Sequence, residues 1–212
     1  MAEYSAEYSV FGRILLKGKL EFKFKPSYEV RKKQKLMNFL YKPPSNSELD
    51  FQINCQGRTF KFNKQLLCSF SEVFQKMTNN SYSIESKSGC VEIEDFLPDT
   101  IESFQKMVFT TKPLSKEDMS VDLLMFANKY DIQYLKRLIV EHLIHELGEK
   151  NVYEVMEAAY LIDNDKLLKA TAKFVKTNLG LFKDKEKWNQ FQKAHPECAL
   201  KVMSLMMFSE SN

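Results

Sequence analysis

His142 and His145 stand three residues apart, a spacing that sets two imidazoles on one face of a helix and could open a zinc site. No cysteine or second histidine pair lies near them, and His142 falls in register with Leu135, Leu138, Ile139 and Leu143, so it reads as a core or interface histidine. Asp163-Asn164-Asp165 has the acidic opening of a calcium loop, but the sixth position, which must be Gly, is Leu168 and the twelfth, which must be Glu, is Phe174. The tripeptide reads as a helix connection. Cys55, Cys68, Cys90 and Cys198 lie far apart without a CxxC pair and are expected to be reduced and structural. The chain has no Gly-rich phosphate loop, no GxSxG elbow, and no Ser or Cys in a context that favours an activated nucleophile. Carboxylates are plentiful, but their pairing in space is invisible in a sequence. No catalytic residue, metal or cofactor is assigned, and the chain reads as a binding protein and not an enzyme.

Its composition suits that role. Hydrophobic residues make up 44% and charged residues 28%, with only six Gly and six Pro, which is the make-up of an ordered globular protein. Seventeen Phe and ten Met provide a large apolar interior or contact surface. No apolar run approaches the roughly 20 residues of a membrane-spanning helix, so no membrane association is expected. The start, Met1-Ala2-Glu3-Tyr4-Ser5, lacks a basic flank followed by an apolar core, which places the chain in the nucleus or cytoplasm. Net charge is +3, yet residues 13–35 carry nine Lys or Arg against two Glu, which leaves the remainder acidic. Such a run can contact nucleic acid or an acidic partner, but lysines that alternate with apolar residues more often form the wet face of a strand, and nucleic acid is not the expected partner.

Strict alternation in Leu20-Glu21-Phe22-Lys23-Phe24-Lys25 marks a strand. Residues 28–41 read as a short helix with Val30, Leu36, Phe39 and Leu40 on its apolar side, stopped by Pro43-Pro44. Two strands follow, Asp50–Cys55 and Thr59–Phe62, joined at Gln56-Gly57 as a hairpin. Helical spacing then runs over 64–78, a loop begins at Thr78, and Cys90–Ile93 reads as a third strand. Asp99 with Glu102 predicts a capped helix carrying Ile101, Phe104, Met107 and Val108, and Ser115 predicts the start of another. Asp122–Leu147 is helical with a break near Tyr130-Asp131. Asn151 with Glu154 opens a helical hairpin that turns at Asp163–Asp165 and ends by Gly180, and a Met-rich helix spans Cys198–Phe208.

These segments, in this order, resemble a BTB/POZ domain over Asp50–Leu147. From about Val30 to Met207 the chain resembles the C-terminal half of speckle-type POZ proteins and their MATH-BTB relatives. Gly57–Lys64 resembles the signature G-x-x-F-x-A-H-K, Ser71–Phe74 with Met77 the following S-P-V-F-x-x-M, Val91–Asp95 the V-x-I-x-D strand, Ala127–Tyr130 the A-D-K-Y segment and Leu135-Lys136 the L-K after it. Asn151–Val175 is similar to the helical hairpin beside the domain, and Trp188 with His195-Pro196 to a BACK-like C-terminus. The implied fold class is α+β: a small sheet flanked by a helical cluster over 28–147, then an all-α BACK-like extension over 148–212. Residues 1–27 form an N-terminal strand segment, too short for a full substrate-reading MATH domain and expected to be at most a remnant of one.

The resemblance implies a homodimer, or pairing with related BTB proteins. The helix around Leu36, Phe39 and Leu40 and the apolar face near Leu66 would meet across a twofold axis, so that one patch is buried twice. The N-terminal strand is expected to exchange across that dimer, since an isolated apolar strand needs a partner edge. Asp50 and Lys64 lie where the family keeps a charged pair near the dimer groove; read from the residues alone, they are a strand-edge carboxylate and a solvated lysine. A second implied partner is a cullin-3 scaffold, contacted through Tyr82, Ile84, Glu85 and Tyr130. The chain would then be an adaptor that brings an unknown protein substrate to ubiquitin ligation. Departures stand beside this: Ser83 replaces the apolar residue expected before Glu85, Asn63 a His, Thr78 an aromatic, and Thr110-Thr111-Lys112 a Y-T-G. Either Tyr82 or Ile84 fills the vacant contact or the contact is weakened. The alternative is a dimerisation scaffold or transcription cofactor without ligase activity.

Overall fold

The computed structural model describes residues 6–8, 14–16, 48–109, 114–179 and 185–208. The strand expected at Leu20–Lys25, with its exchange across a dimer, and the helix with Leu36, Phe39 and Leu40 lie outside the described residues. Near the N-terminus β1 (Ala6–Tyr8) pairs antiparallel with β2 (Ile14–Leu16), Glu7 opposite Leu15. The chain divides into two compact units, residues 1–118 with 129–134 and residues 119–128 with 135–212. The class is α+β, as expected.

In the first unit β3 (Phe51–Cys55) and β4 (Arg58–Phe62) form the hairpin that the alternation predicts. Gln56 and Gly57 both have positive φ, 46° and 80°, the backbone a two-residue turn needs to match strand twist. Phe51, Ile53, Cys55, Phe60 and Phe62 all point inward and are buried. β5 (Cys90–Glu92) joins the other edge of β3 in parallel, with Val91 opposite Ile53, giving the order β4-β3-β5.

Between β4 and β5 the expected single helix over 64–78 is two: α1 (Lys64–Phe70) and α2 (Glu72–Asn79). Ser71 makes the break with extended backbone (φ −137°, ψ 120°). Its hydroxyl accepts from the Phe74 N–H at 3.0 Å and donates to the Tyr130 carbonyl, so the cap of α2 is also a long-range tie. A further short helix, α3 (Ile84–Ser88), occupies what reads as loop in the sequence.

α4 (Pro98–Phe109) packs on β4. Asp99 does not cap it; it lies in the first turn, where its carboxylate and that of Glu102 pair with Arg58 at 3.1 and 2.7 Å. Four rings then stack through the core in sequence: Phe62 on Phe104 (5.5 Å between centroids), Phe104 on Phe74 (6.4 Å), and Phe74 on Tyr130 (4.6 Å, 3° apart). Such pairs add to what burial alone contributes. Ser115 starts a single turn and no helix, because Asp118 folds back on it: the Ser115 hydroxyl donates to Oδ2 at 2.7 Å and accepts from the Asp118 N–H at 3.2 Å.

Asp118 gathers this corner. Its Oδ1 also accepts from Ser103 Oγ at 3.1 Å and from Lys106 Nζ at 2.9 Å. Burial pushes the carboxyl upward, but the hydrogen bonds from Ser115, Lys106 and Ser103 outweigh it and bring the pKa down to about 2. A folded pKa below the unfolded value stabilises the protein above the ordinary carboxylate range and loses that contribution as pH falls toward about 2. Asp118→Asn should therefore cost about 2 kcal/mol in urea unfolding at pH 7, by the ~1.36 kcal/mol carried by each pKa unit. The gap from wild type should narrow steadily below about pH 4. A gap unchanged with pH would show that the carboxylate's charge is not what stabilises the corner.

The second unit is helical. α5 (Val121–Lys129) and α6 (Gln133–His145) are separated at Tyr130-Asp131, as the periodicity predicts, with Asp131 at φ 51°. α7 (Val152–Leu161), α8 (Asp165–Thr177), α9 (Lys185–Ala194) and α10 (Pro196–Phe208) follow, and α8 packs on both α7 and α10. The α7 start is not capped by Asn151. Its amide turns backward, accepting from the Gly148 N–H at 2.8 Å and donating to the Glu146 carbonyl at 3.0 Å. Asn164 is the cap of α8, accepting from the Leu167 N–H at 2.9 Å. That helix stops at Thr177, where Asn178 Nδ2 donates to the Phe174 carbonyl at 2.8 Å; Gly180 is outside the described residues. Trp188 and Phe191 of α9 stack at 5.9 Å and meet Tyr153 of α7. Among the described residues no helix is long and apolar enough to cross a membrane.

Candidate functional site

Large side chains that fold outward despite an available core are the ones a partner can use. In the first unit Tyr82 is 88% exposed and Ile84 is 79% exposed, and two residues of spacing put them at the start of one short helix. Exposed apolar side chains gain free energy when a partner covers them, and a few such anchors, Tyr prominent among them, carry most of the energy of a protein interface.

The backbone that presents them is fastened at both ends. α2 stops at Asn80, whose N–H returns to the Lys76 carbonyl at 3.2 Å. The Asn80 side chain accepts from the Tyr82 N–H at 3.0 Å, and the Asn80 carbonyl accepts from the Ser83 N–H at 3.0 Å. Ser83 caps α3: its hydroxyl accepts from the Ser86 N–H at 3.1 Å and lies 2.7 Å from the Met77 carbonyl and 3.0 Å from that of Asn80. At the far end Gly89 has φ 66°, returns its N–H to the Glu85 carbonyl at 3.0 Å and offers its own carbonyl to the Gln52 N–H at 2.8 Å. Only glycine takes that left-handed backbone without strain, and here it converts a helix end directly into the entry to β5. Glu85 is half-buried in the first turn of α3, where the positive end of the helix favours a carboxylate.

The other expected site residues are placed differently. Tyr130 is 4% exposed and stacked on Phe74, with burial pushing its phenol up to about 12, so it is a core residue and its ring is not available to a partner. Leu66 is 3% exposed within its own unit. Asp50 and Lys64 do meet, but through the backbone: Asp50 Oδ1 accepts from the Lys64 N–H at 2.7 Å, while Lys64 Nζ donates to the Thr78 carbonyl at 2.9 Å and so caps the end of α2. His142 is half-buried and His145 exposed in the last turn of α6. Cys55 and Cys198 are buried; burial raises both thiols, that of Cys198 to about 11, which keeps it protonated.

Sequence reasoning named Tyr82, Ile84 and Glu85 but missed what holds them. Asn80, Ser83 and Gly89 had a readable signal: a Ser followed six residues later by Gly is an N-cap and a C′ glycine bracketing one short helix.

Residues 44–147 match the BTB/POZ domain family. The chain is 27% identical over 155 residues to a BTB and MATH domain-containing protein of Caenorhabditis elegans, covering 72% of this chain and 39% of that one. It is 24% identical over 149 residues to a BTB/POZ domain-containing protein of Arabidopsis thaliana, covering 70% of this chain and 61% of that one. The chain thus spans less than two thirds of either relative.

Proposed function

Residues 44–147 form a BTB/POZ domain, a protein-interaction module, and from that premise we propose that the chain is a dimeric adaptor that binds a cullin-3 scaffold and brings a protein substrate to ubiquitin ligation. It acts in the nucleus or cytoplasm without catalytic residues of its own. The observation that carries this reading is the outward Tyr82 and Ile84, which flank the capping residue of a short helix tied at both ends. Preorganised apolar anchors bind without the ordering cost that a loose loop would pay. Glu85 beside them supplies charge, which favours a basic surface on the scaffold.

Purified chain is mixed with the N-terminal domain of cullin-3, with light scattering after size exclusion for mass and calorimetry for affinity. The expected result is a dimer that binds two scaffolds at submicromolar strength, and a Glu85→Lys variant that stays dimeric but binds at least about tenfold more weakly, a like-charge penalty of roughly 1.4 kcal/mol. A dimer that ignores cullin-3 favours the second reading, a dimerisation scaffold or transcription cofactor. Ser83 is the observation on that side, because its hydroxyl bonds back to the Met77 carbonyl at the place where the resemblance implies an apolar group.

A further inference from the structure

We infer that Ser83 is the positioning residue of this surface: it touches no partner, and its hydroxyl sets whether α3 exists to present Tyr82 and Ile84. The inference rests on the adaptor reading for its partner, though not for its mechanism. A five-residue helix is far below the length at which a helix holds itself together in water, so α3 persists only through its ends. The C-terminal end belongs to β5 through Gly89 and Gln52. At the N-terminal end one hydroxyl serves two kinds of bond. As acceptor it satisfies the Ser86 N–H of α3. As donor it reaches the Met77 carbonyl at 2.7 Å, in the last turn of α2 where a finished helix leaves carbonyls without intrahelical partners, and lies 3.0 Å from the carbonyl of the C-cap residue Asn80, which also accepts from the Ser83 N–H. Ser83 therefore joins two helix ends head to tail, with the two exposed anchors on either side of it in sequence.

The two bond types separate by substitution. Ser83→Thr keeps both, Ser83→Asp keeps the acceptor but sets a carboxylate against two carbonyls, and Ser83→Ala keeps neither. The test pairs amide hydrogen exchange of the free chain at Ser86 and Gly89 with stopped-flow association to the cullin-3 N-terminal domain. Exchange should speed up in Ser83→Ala and Ser83→Asp and stay near wild type in Ser83→Thr. If the competent population of α3 falls to about one tenth, the association rate and affinity of Ser83→Ala should fall about tenfold, with dissociation unchanged, since the bound form keeps every contact. That split marks a positioning residue, because a lost contact raises dissociation instead. Unchanged exchange in Ser83→Ala overturns the inference, and so does a loss of affinity expressed only in faster dissociation. Should the wild-type chain ignore cullin-3, the adaptor reading falls by itself, and the exchange rates still decide whether Ser83 holds α3.

Discussion

Replacing Tyr82 with Ala and Ile84 with Asp in one chain should weaken cullin-3 binding by at least about a hundredfold, the loss expected when central interface anchors of roughly 2–4 kcal/mol are removed. Thermal unfolding should barely move. Both side chains are mostly in water in the free chain, and surface changes away from caps and cores usually stay within about 0.5 kcal/mol. The combination is diagnostic because affinity and stability are read separately on the same sample. Leu200→Ala on α10, also 70% exposed, is the control and should leave cullin-3 affinity unchanged. Equal weakening by Leu200→Ala, or full affinity in the double variant, would remove Tyr82 and Ile84 from the interface.

The largest stability effect belongs to Phe74. It is fully buried and is one of the two inner links of the ring stack, with Phe104 on one side and Tyr130 on the other. Phe74→Ala deletes the ring, leaves a cavity between two aromatics and should cost about 3–5 kcal/mol in urea unfolding. Phe74→Leu should recover more than half of that, since it refills most of the volume. Neighbouring Val73, half-buried, is the comparison: Val73→Ala should cost about 1 kcal/mol. A Phe74→Ala penalty no larger than that of Val73→Ala would mean that neither the ring's packing nor its stacking holds this core together.

What could be read from the sequence was what depends on near neighbours. Alternation in Phe51–Cys55, the Gln56-Gly57 turn, the apolar stripe of α4 and the break at Tyr130-Asp131 are all local, and all are present. Three of the errors share a physical origin. Ser71 ends α1 because its hydroxyl reaches the Tyr130 carbonyl, and Asp99 leaves its capping role for Arg58; both partners are far away in the chain and leave no periodic trace. Tyr130 is buried for the same reason, since its stacking partner Phe74 comes from a distant helix. α3 was missed on other grounds: five residues are too few for a helical period to show, so only its caps could have announced it.

The parallel pairing of β3 with β5 has a kinetic side. The β3–β4 hairpin closes over two residues, an event of roughly 1–10 μs, whereas β5 must wait for the whole crossover through α1, α2 and α3 to close before its ladder forms. α3 lies within that late-closing loop and takes its final anchor, Gly89 on Gln52, from the strand pairing itself. A nascent or partly unfolded chain therefore has its hairpin but no ordered Tyr82 and Ile84 to offer. On the adaptor reading proposed above, partner recognition is thereby tied to closure of this crossover, and a chain that has not closed it presents no ordered surface.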